Sequence, residues 1–304
     1  MLNYKEFKEK LSEEIRMLLG ENTIIEFEIV NKINGISYEG MLIRNCEKGV
    51  FPVFPMEPYY LTYKSGQVCL DEILRMVRQR VLTQPCELSD FVRDIQSLNK
   101  IKNRIFMRVV NYEKNVKWLE DYPHRKCMDL AIMYYFGADE NGTDVYLANI
   151  NYSFLETMQL TEEELFHIAY ENSVNRQPAV IKNMKELIPE ILWKAIFDFS
   201  CDENLESEID DKMYVLTNQK KRLGAVCMFY EGALAELAED LEDDLFVLPS
   251  SVHETIVLPS KGLEARELKE IVKEVNMTSV SEDEILGESV YCYYRDKRKL
   301  ELCM

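Results

Sequence analysis

The stretch MDLAIMYYFGADENGTDVYLANI, Met128 to Ile150, constrains the fold of this chain more than any other. Two β-rich runs flank a turn containing Asn141-Gly142, and Asn-Gly readily adopts the positive φ angles of a tight hairpin, so the runs are expected to pair antiparallel. A helix start comes soon after. In TEEELFHIAYENSV, Thr161 and Glu164 have the spacing of a capping box, and Leu160 stands where it can staple onto Leu165. Hairpins that feed into helices point to an α+β fold with mainly antiparallel sheets.

The same rhythm extends in both directions. Tyr4, Phe7, Leu11, Ile15 and Leu18 fall on one face of a first helix that Gly20 ends. Ile25, Phe27 and Ile29 then alternate with Glu26 and Glu28, which predicts a strand with one buried face, and Asn34-Gly35 turns it into ISYEGMLIR. The prolines of FPVFPMEPYY interrupt the pattern. Leu70, Ile73, Leu74, Val77 and Val81 form a helical stripe. Beyond it come a short helix near Asp90 to Leu98, a strand in RIFMRVVNY and a helix through NVKWLED.

After the central hairpin and its helix, an apolar helix is expected around Glu186 to Phe199. The acidic segment near 202–211 has too few apolar groups for a core and suits a linker. The last hundred residues predict strands in MYVLT, LGAVCMF, DLFVLP, HETIVLP and SVYCYYR, with helices in EGALAELAEDL and LEARELKEIVKEV. A length of 304 residues exceeds the usual single-domain size, so two α+β regions are expected, 1–125 and 126–304.

Composition narrows the function classes. With 47% hydrophobic and 30% charged residues, the chain suits a packed soluble interior, and no apolar run approaches a bilayer span. The N-terminus carries charge throughout, unlike a secretory signal, and the eight cysteines are scattered with no C-x-x-C pair, which favours free thiols in the cytoplasm. A net charge of −18 opposes direct binding to nucleic acid or anionic lipid. That charge is uneven: Arg93 to Lys126 holds nine basic residues against four acidic, and Glu231 to Asp244 holds seven acidic and none basic. The acidic segment admits a nucleic-acid mimic, although a solvated helix face is the commoner arrangement. No phosphate loop, hydrolase elbow or metal-ligand spacing is present, so neither a cofactor nor a metal is expected.

The candidate chemistry gathers around two of the three histidines. His253 lies in VLPSSVHETIVLPS, where Ser251 is a candidate nucleophile and Glu254 a candidate orienting carboxylate. Adjacent strand residues point to opposite faces, which counts against Glu254 in that role. The other reading is a structural turn whose serines bond backbone amides. His124 lies in a loop near Asp129 and Arg125, which suit either a ligand site or a structural ion pair. His167, among apolar helix neighbours, is expected to flank or enter the core.

The strings NYEKN (111–115), PHR with DLA (123–131), MYVLTN (213–218) and LPSSVHE (248–254) resemble an uncharacterised family of gut clostridial proteins, a domain of unknown function. TEEELFHIAYENS is also similar to YtpQ-type proteins of Bacillus relatives. Neither resemblance brings an assigned activity. The polar residues Asn111, Asn115, Arg125 and Asn218 in those strings are candidate binding residues. The resulting expectation is a cytoplasmic interaction or accessory protein without catalysis, with an unknown protein partner and no membrane association. The alternative is a hydrolase, which should bring His124, Asp129, Ser251 and His253 into one cleft.

Overall fold

A computed structural model describes residues 1–44, 53–82, 98–140, 143–186, 212–249 and 251–303. The fold is α+β, with three antiparallel sheets among the described residues. Two compact units emerge, Met1–Ile101 and Lys102–Met304. The division expected at 125/126 falls inside a strand, β5 (His124–Cys127), whose partner β6 (Leu130–Glu140) also pairs with β4 (Ile105–Asn111), so a single sheet holds strands from both sides of that division. The expected helices at 90–98 and 186–199, the acidic linker at 202–211 and the Asn141-Gly142 turn lie wholly or largely outside the described residues. No described helix is long and apolar enough to cross a membrane.

In the first unit, the helix Tyr4–Leu19 starts from an Asn3 cap that exchanges hydrogen bonds with Glu6. Strands β1 (Ile24–Asn31) and β2 (Ser37–Arg44) pair antiparallel, and Asn34 and Gly35 both take positive φ in the connection. The alternation in β1 overstates its burial, because Ile29 is 65% exposed. The proline passage does more than interrupt: Val53–Pro55 forms a short strand β3 against β2, and Met56–Lys64 is a helix. Pro58 is tolerated because amides in the first helical turn have no intrahelical acceptor to lose. Phe7, Leu11 and Ile15 bury with Met41, Ile43, Phe54, Met56, Ile73, Leu74 and Val77 in one core.

In the second unit, β6 (Leu130–Glu140) is the spine of one sheet. One edge pairs with β4; the other is shared by β5 and β7 (Thr143–Asn149). The capping box forms as its sequence indicates, with the Thr161 side chain and Glu164 bonding each other's backbone amides at the start of the helix Glu162–Arg176. Ser173 and Asn172 of that helix seal the outer edge of β4: Met107 N–H donates to Ser173 Oγ (2.9 Å), and Asn172 Nδ2 donates to the Ile105 carbonyl (2.9 Å). A helix not anticipated from sequence, Tyr152–Met158, fills the connection and is capped by Asn151. NVKWLED forms only one α-helical turn, Val116–Leu119.

The larger sheet runs β13-β12-β10-β11-β9-β8, all antiparallel. Its strands are β8 (Ala179–Asn183), β9 (Tyr214–Asn218), β10 (Leu245–Leu248), β11 (Thr255–Pro259), β12 (Tyr291–Tyr294) and β13 (Lys299–Leu302). Leu268 and Val272 of the helix Ala265–Ser279 pack on Met213, Phe246, Leu248, Leu258, Val290 and Cys292. LGAVCMF, expected as a strand, is a 3₁₀ turn over Gly224–Phe229. Its first amides are taken by carbonyls of the turn after β10, with Gly224 N–H donating to His253 O (2.9 Å) and Ala225 N–H to Val252 O (3.3 Å).

Candidate functional site

The LPSSVHE turn links β10 to β11 and is tied down atom by atom. His253 N–H donates to Ser251 Oγ (3.0 Å), and Ser251 N–H to the Glu254 carbonyl (3.4 Å). The His253 carbonyl also accepts from Thr217 Oγ1 (2.8 Å). Across the turn, Asn218 clips the chain back on itself: its Nδ2 donates to the Arg222 carbonyl (2.8 Å), and its Oδ1 accepts from Arg222 N–H (3.3 Å). That loop brings buried Leu223, at φ +53°, against the imidazole.

Leu223 N–H donates to His253 Nδ1 (3.1 Å), and Nε2 lies 3.3 Å from Glu284 Oε1. A ring nitrogen that accepts a backbone amide carries no proton, so the neutral ring holds its hydrogen on Nε2, towards Glu284. The orienting carboxylate is therefore Glu284, whereas Glu254 faces a cavity beside the turn. Both ring nitrogens are committed to Leu223 and Glu284, and the Ser251 hydroxyl meets the His253 amide. The nucleophile-to-imidazole contact of a serine hydrolase is thus not the one formed.

In the second candidate cluster the side chains are bonded to near and distant neighbours. Asp129 accepts from Ser289 Oγ (2.6 Å) and from the Tyr291 hydroxyl. Burial and this carboxylate raise the Tyr291 phenol above its ordinary pKa. The expected Arg125–Asp129 pair does not form. Arg125 instead pairs with Glu163 and stacks 3.7 Å over the Phe166 ring. His124 Nδ1 bonds the Tyr122 carbonyl (2.8 Å), and its ring lies beside Tyr112. His167 is 66% exposed at its side chain and pairs with Glu163 at 3.1 Å, because it faces away from the buried stripe of Leu165, Ala169 and Ser173.

Asn111 and Asn115 fold NYEKN into a turn. Asn111 Oδ1 accepts from Lys114 N–H (2.8 Å), Asn115 Nδ2 donates to the Asn111 carbonyl (2.7 Å), and Asn111 Nδ2 reaches the Leu286 carbonyl (3.1 Å). The segment EILGESVY, Glu284 to Tyr291, is thus the hub that sequence inspection missed. It receives Val252 N–H and His253 at Glu284, Asn111 at Leu286, and Asp129 at Ser289 and Tyr291. These pairings join residues 160 or more positions apart in places, so no local spacing announces them.

A cavity of about 420 Å³ lies beside this turn. Its wall is one face of two strands: Val180, Lys182 and Met184 on and just beyond β8, and Val215, Thr217 and Gln219 on and just beyond β9, with Val180 opposite Thr217 and Lys182 opposite Val215. Asn218, Lys221 and Glu254 complete the lining. Neither Lys182 nor Lys221 forms an ion pair with a described carboxylate. No three His, Cys, Asp or Glu side chains among the described residues are grouped to hold a metal. The five described cysteines are free, and burial pushes the thiols of Cys227 and Cys292 up to about 12, which disfavours the nucleophilic thiolate.

In the acidic segment, Asp243 accepts from Ser260 Oγ and Lys261 N–H, and Asp244 from Arg295 N–H. These two carboxylates brace neighbouring connections of the large sheet. Comparison with curated proteins and with solved structures gives no match. A family model spans residues 4–295, nearly the whole chain, and the chain belongs to that family, DUF5688, a family of unknown function.

Proposed function

We propose that this protein acts by binding, as a cytoplasmic accessory or regulatory factor with no chemistry of its own. The observation that carries this is the imidazole of His253, whose Nδ1 accepts the Leu223 amide while Nε2 faces Glu284. A general base needs a free lone pair within reach of the proton it takes, and here that lone pair is spent on the backbone. The cavity beside Glu254 is the natural seat for a ligand or partner group, since apolar Val180, Met184 and Val215 share its wall with the Lys182 and Lys221 ammoniums. The dispersed cysteines and the net charge of −18 support a cytoplasmic setting and argue against nucleic acid as a direct partner.

The test is a panel of ester, phosphoester and peptide substrates offered to the parent protein, Ser251→Ala and His253→Ala. No turnover that depends on either residue is expected. Hydrolysis by the parent that disappears in a variant retaining the parent's melting temperature would establish the hydrolase instead.

A further inference from the structure

Arg108 sits in the middle of β4, on the strand face it shares with Phe106 and Val110. Its cross-strand neighbour is Met133, and Phe106, Val110, Met133 and Tyr135 are all buried. The Nε–H of Arg108 is closed to solvent and has no acceptor. No described carboxylate forms an ion pair with its guanidinium, and the nearby Tyr135 hydroxyl is engaged with Gln177 at 3.2 Å. The other charged group that acts on it is the guanidinium of Arg222, which has the same sign. Burial, with repulsion from Arg222, pushes Arg108 down to about 10, which still leaves it charged at neutral pH.

A buried cation without a counter-charge is destabilising, and buried charges in proteins are as a rule paired and hydrogen-bonded. The Nε–H of Arg108 has no such partner. The unsatisfied atom also defines the ligand. An acceptor at Nε, together with one at the neighbouring Nη, demands two oxygens held side by side, the side-on fork that carboxylates and phosphates offer to arginine. Arg108 as a whole keeps some exposure while Nε itself is closed, so such a group approaches the guanidinium from solvent and meets Nε–H as the side chain yields. We infer that Arg108 anchors an oxyanion site that takes a carboxylate or phosphoryl group through Nε–H and one Nη–H. This site does not depend on the absence of catalysis proposed above.

Thermal unfolding in chloride, inorganic phosphate and acetate, at one pH and one ionic strength, tests it. The parent should melt about 2–4 °C higher in phosphate, acetate or both than in chloride, the shift expected when ligand stabilises the folded state by roughly a kilocalorie. A rise in phosphate alone assigns a phosphoryl group; a rise in acetate assigns a carboxylate. Arg108→Met should melt above the parent in chloride and lose the anion dependence. Arg108→Lys keeps the charge without the fork and should lose most of that dependence, whereas Lys273→Gln, which removes an exposed ammonium outside the cavity, should keep it. Equal melting of the parent in all three anions overturns the inference, as does a rise that survives in Arg108→Met. If Arg108→Met does not fold, ³¹P line broadening of phosphate by the parent and by Arg108→Lys decides: broadening unchanged by the lysine, or absent from both, refutes the fork.

Discussion

Gly224 shows how tightly single residues set the LPSSVHE turn. A Cβ at that position would lie 2.3 Å from Thr217 Oγ1, 2.5 Å from Asn218 N and 2.8 Å from the His253 carbonyl. Two of those atoms are backbone and cannot swing aside, so Gly224→Ala should destabilise the protein by about 3 kcal/mol or more, at or beyond the upper end of ordinary overpacking. His253→Ala acts differently: it leaves the buried Leu223 amide without an acceptor, which costs about 1–3 kcal/mol. Urea unfolding of both variants should therefore rank Gly224→Ala the more severe, and the opposite order would show that the turn yields more readily than its contacts indicate. LPSSVHE was legible as a turn because serines after a proline favour one. Its partners were not. Leu223, Gly224 and Glu284 are about thirty residues away in either direction, and nothing in their own neighbourhoods marks them as ligands of an imidazole.

At the scale of elements, what could be read locally formed locally. The Thr161–Glu164 capping box needs four residues and no tertiary partner, and replacing Thr161 with alanine should cost about 1 kcal/mol, readable as a lower unfolding midpoint. LGAVCMF failed as a strand for the complementary reason. Valine, cysteine and phenylalanine suit a pleated surface, but the segment's first amides meet carbonyls of the LPSSVHE turn rather than a strand edge. The helix Tyr4–Leu19 is joined to β2 by Glu39, which accepts from the Tyr4 hydroxyl (2.6 Å) and from the Lys8 ammonium. The hydrogen bonds from Lys8 and then Tyr4 hold the Glu39 carboxyl below its ordinary pKa. A depressed folded-state value means that the stabilisation is full above the ordinary carboxylate range and is lost as pH falls through the folded value. Glu39→Gln should therefore lower the urea midpoint at pH 7, and the gap from the parent should close as the pH is taken towards 3. A gap that stays constant across that range would assign the effect to shape rather than charge.

Over the whole molecule, the class of fold was legible and the partnership of its strands was not. Hairpins announce themselves because both strands and their turn lie within about twenty residues. β8 and β13 are only five and four residues long, too short for alternation to stand out, and β12 pairs with β10 across more than forty residues of chain. The interior assembled by those pairings sets the reactivity of the thiols. Cys227 lies in the 3₁₀ turn and Cys292 in β12, both buried, with their thiols pushed up to about 12 mainly by that burial; Cys69 is exposed. The thiolate is the reactive form, so burial slows alkylation twice, by hiding the sulfur and by keeping it protonated. In native protein at pH 8, iodoacetamide should modify Cys69 early and leave Cys227 and Cys292 intact. With increasing urea, peptide mapping should find label at these two buried positions rising together with loss of the far-ultraviolet circular dichroism signal, since both lie in the second unit and are freed by its opening. Fast labelling of Cys227 without denaturant would mean that the 3₁₀ turn opens on its own and that its bonds to Val252 and His253 do not hold it.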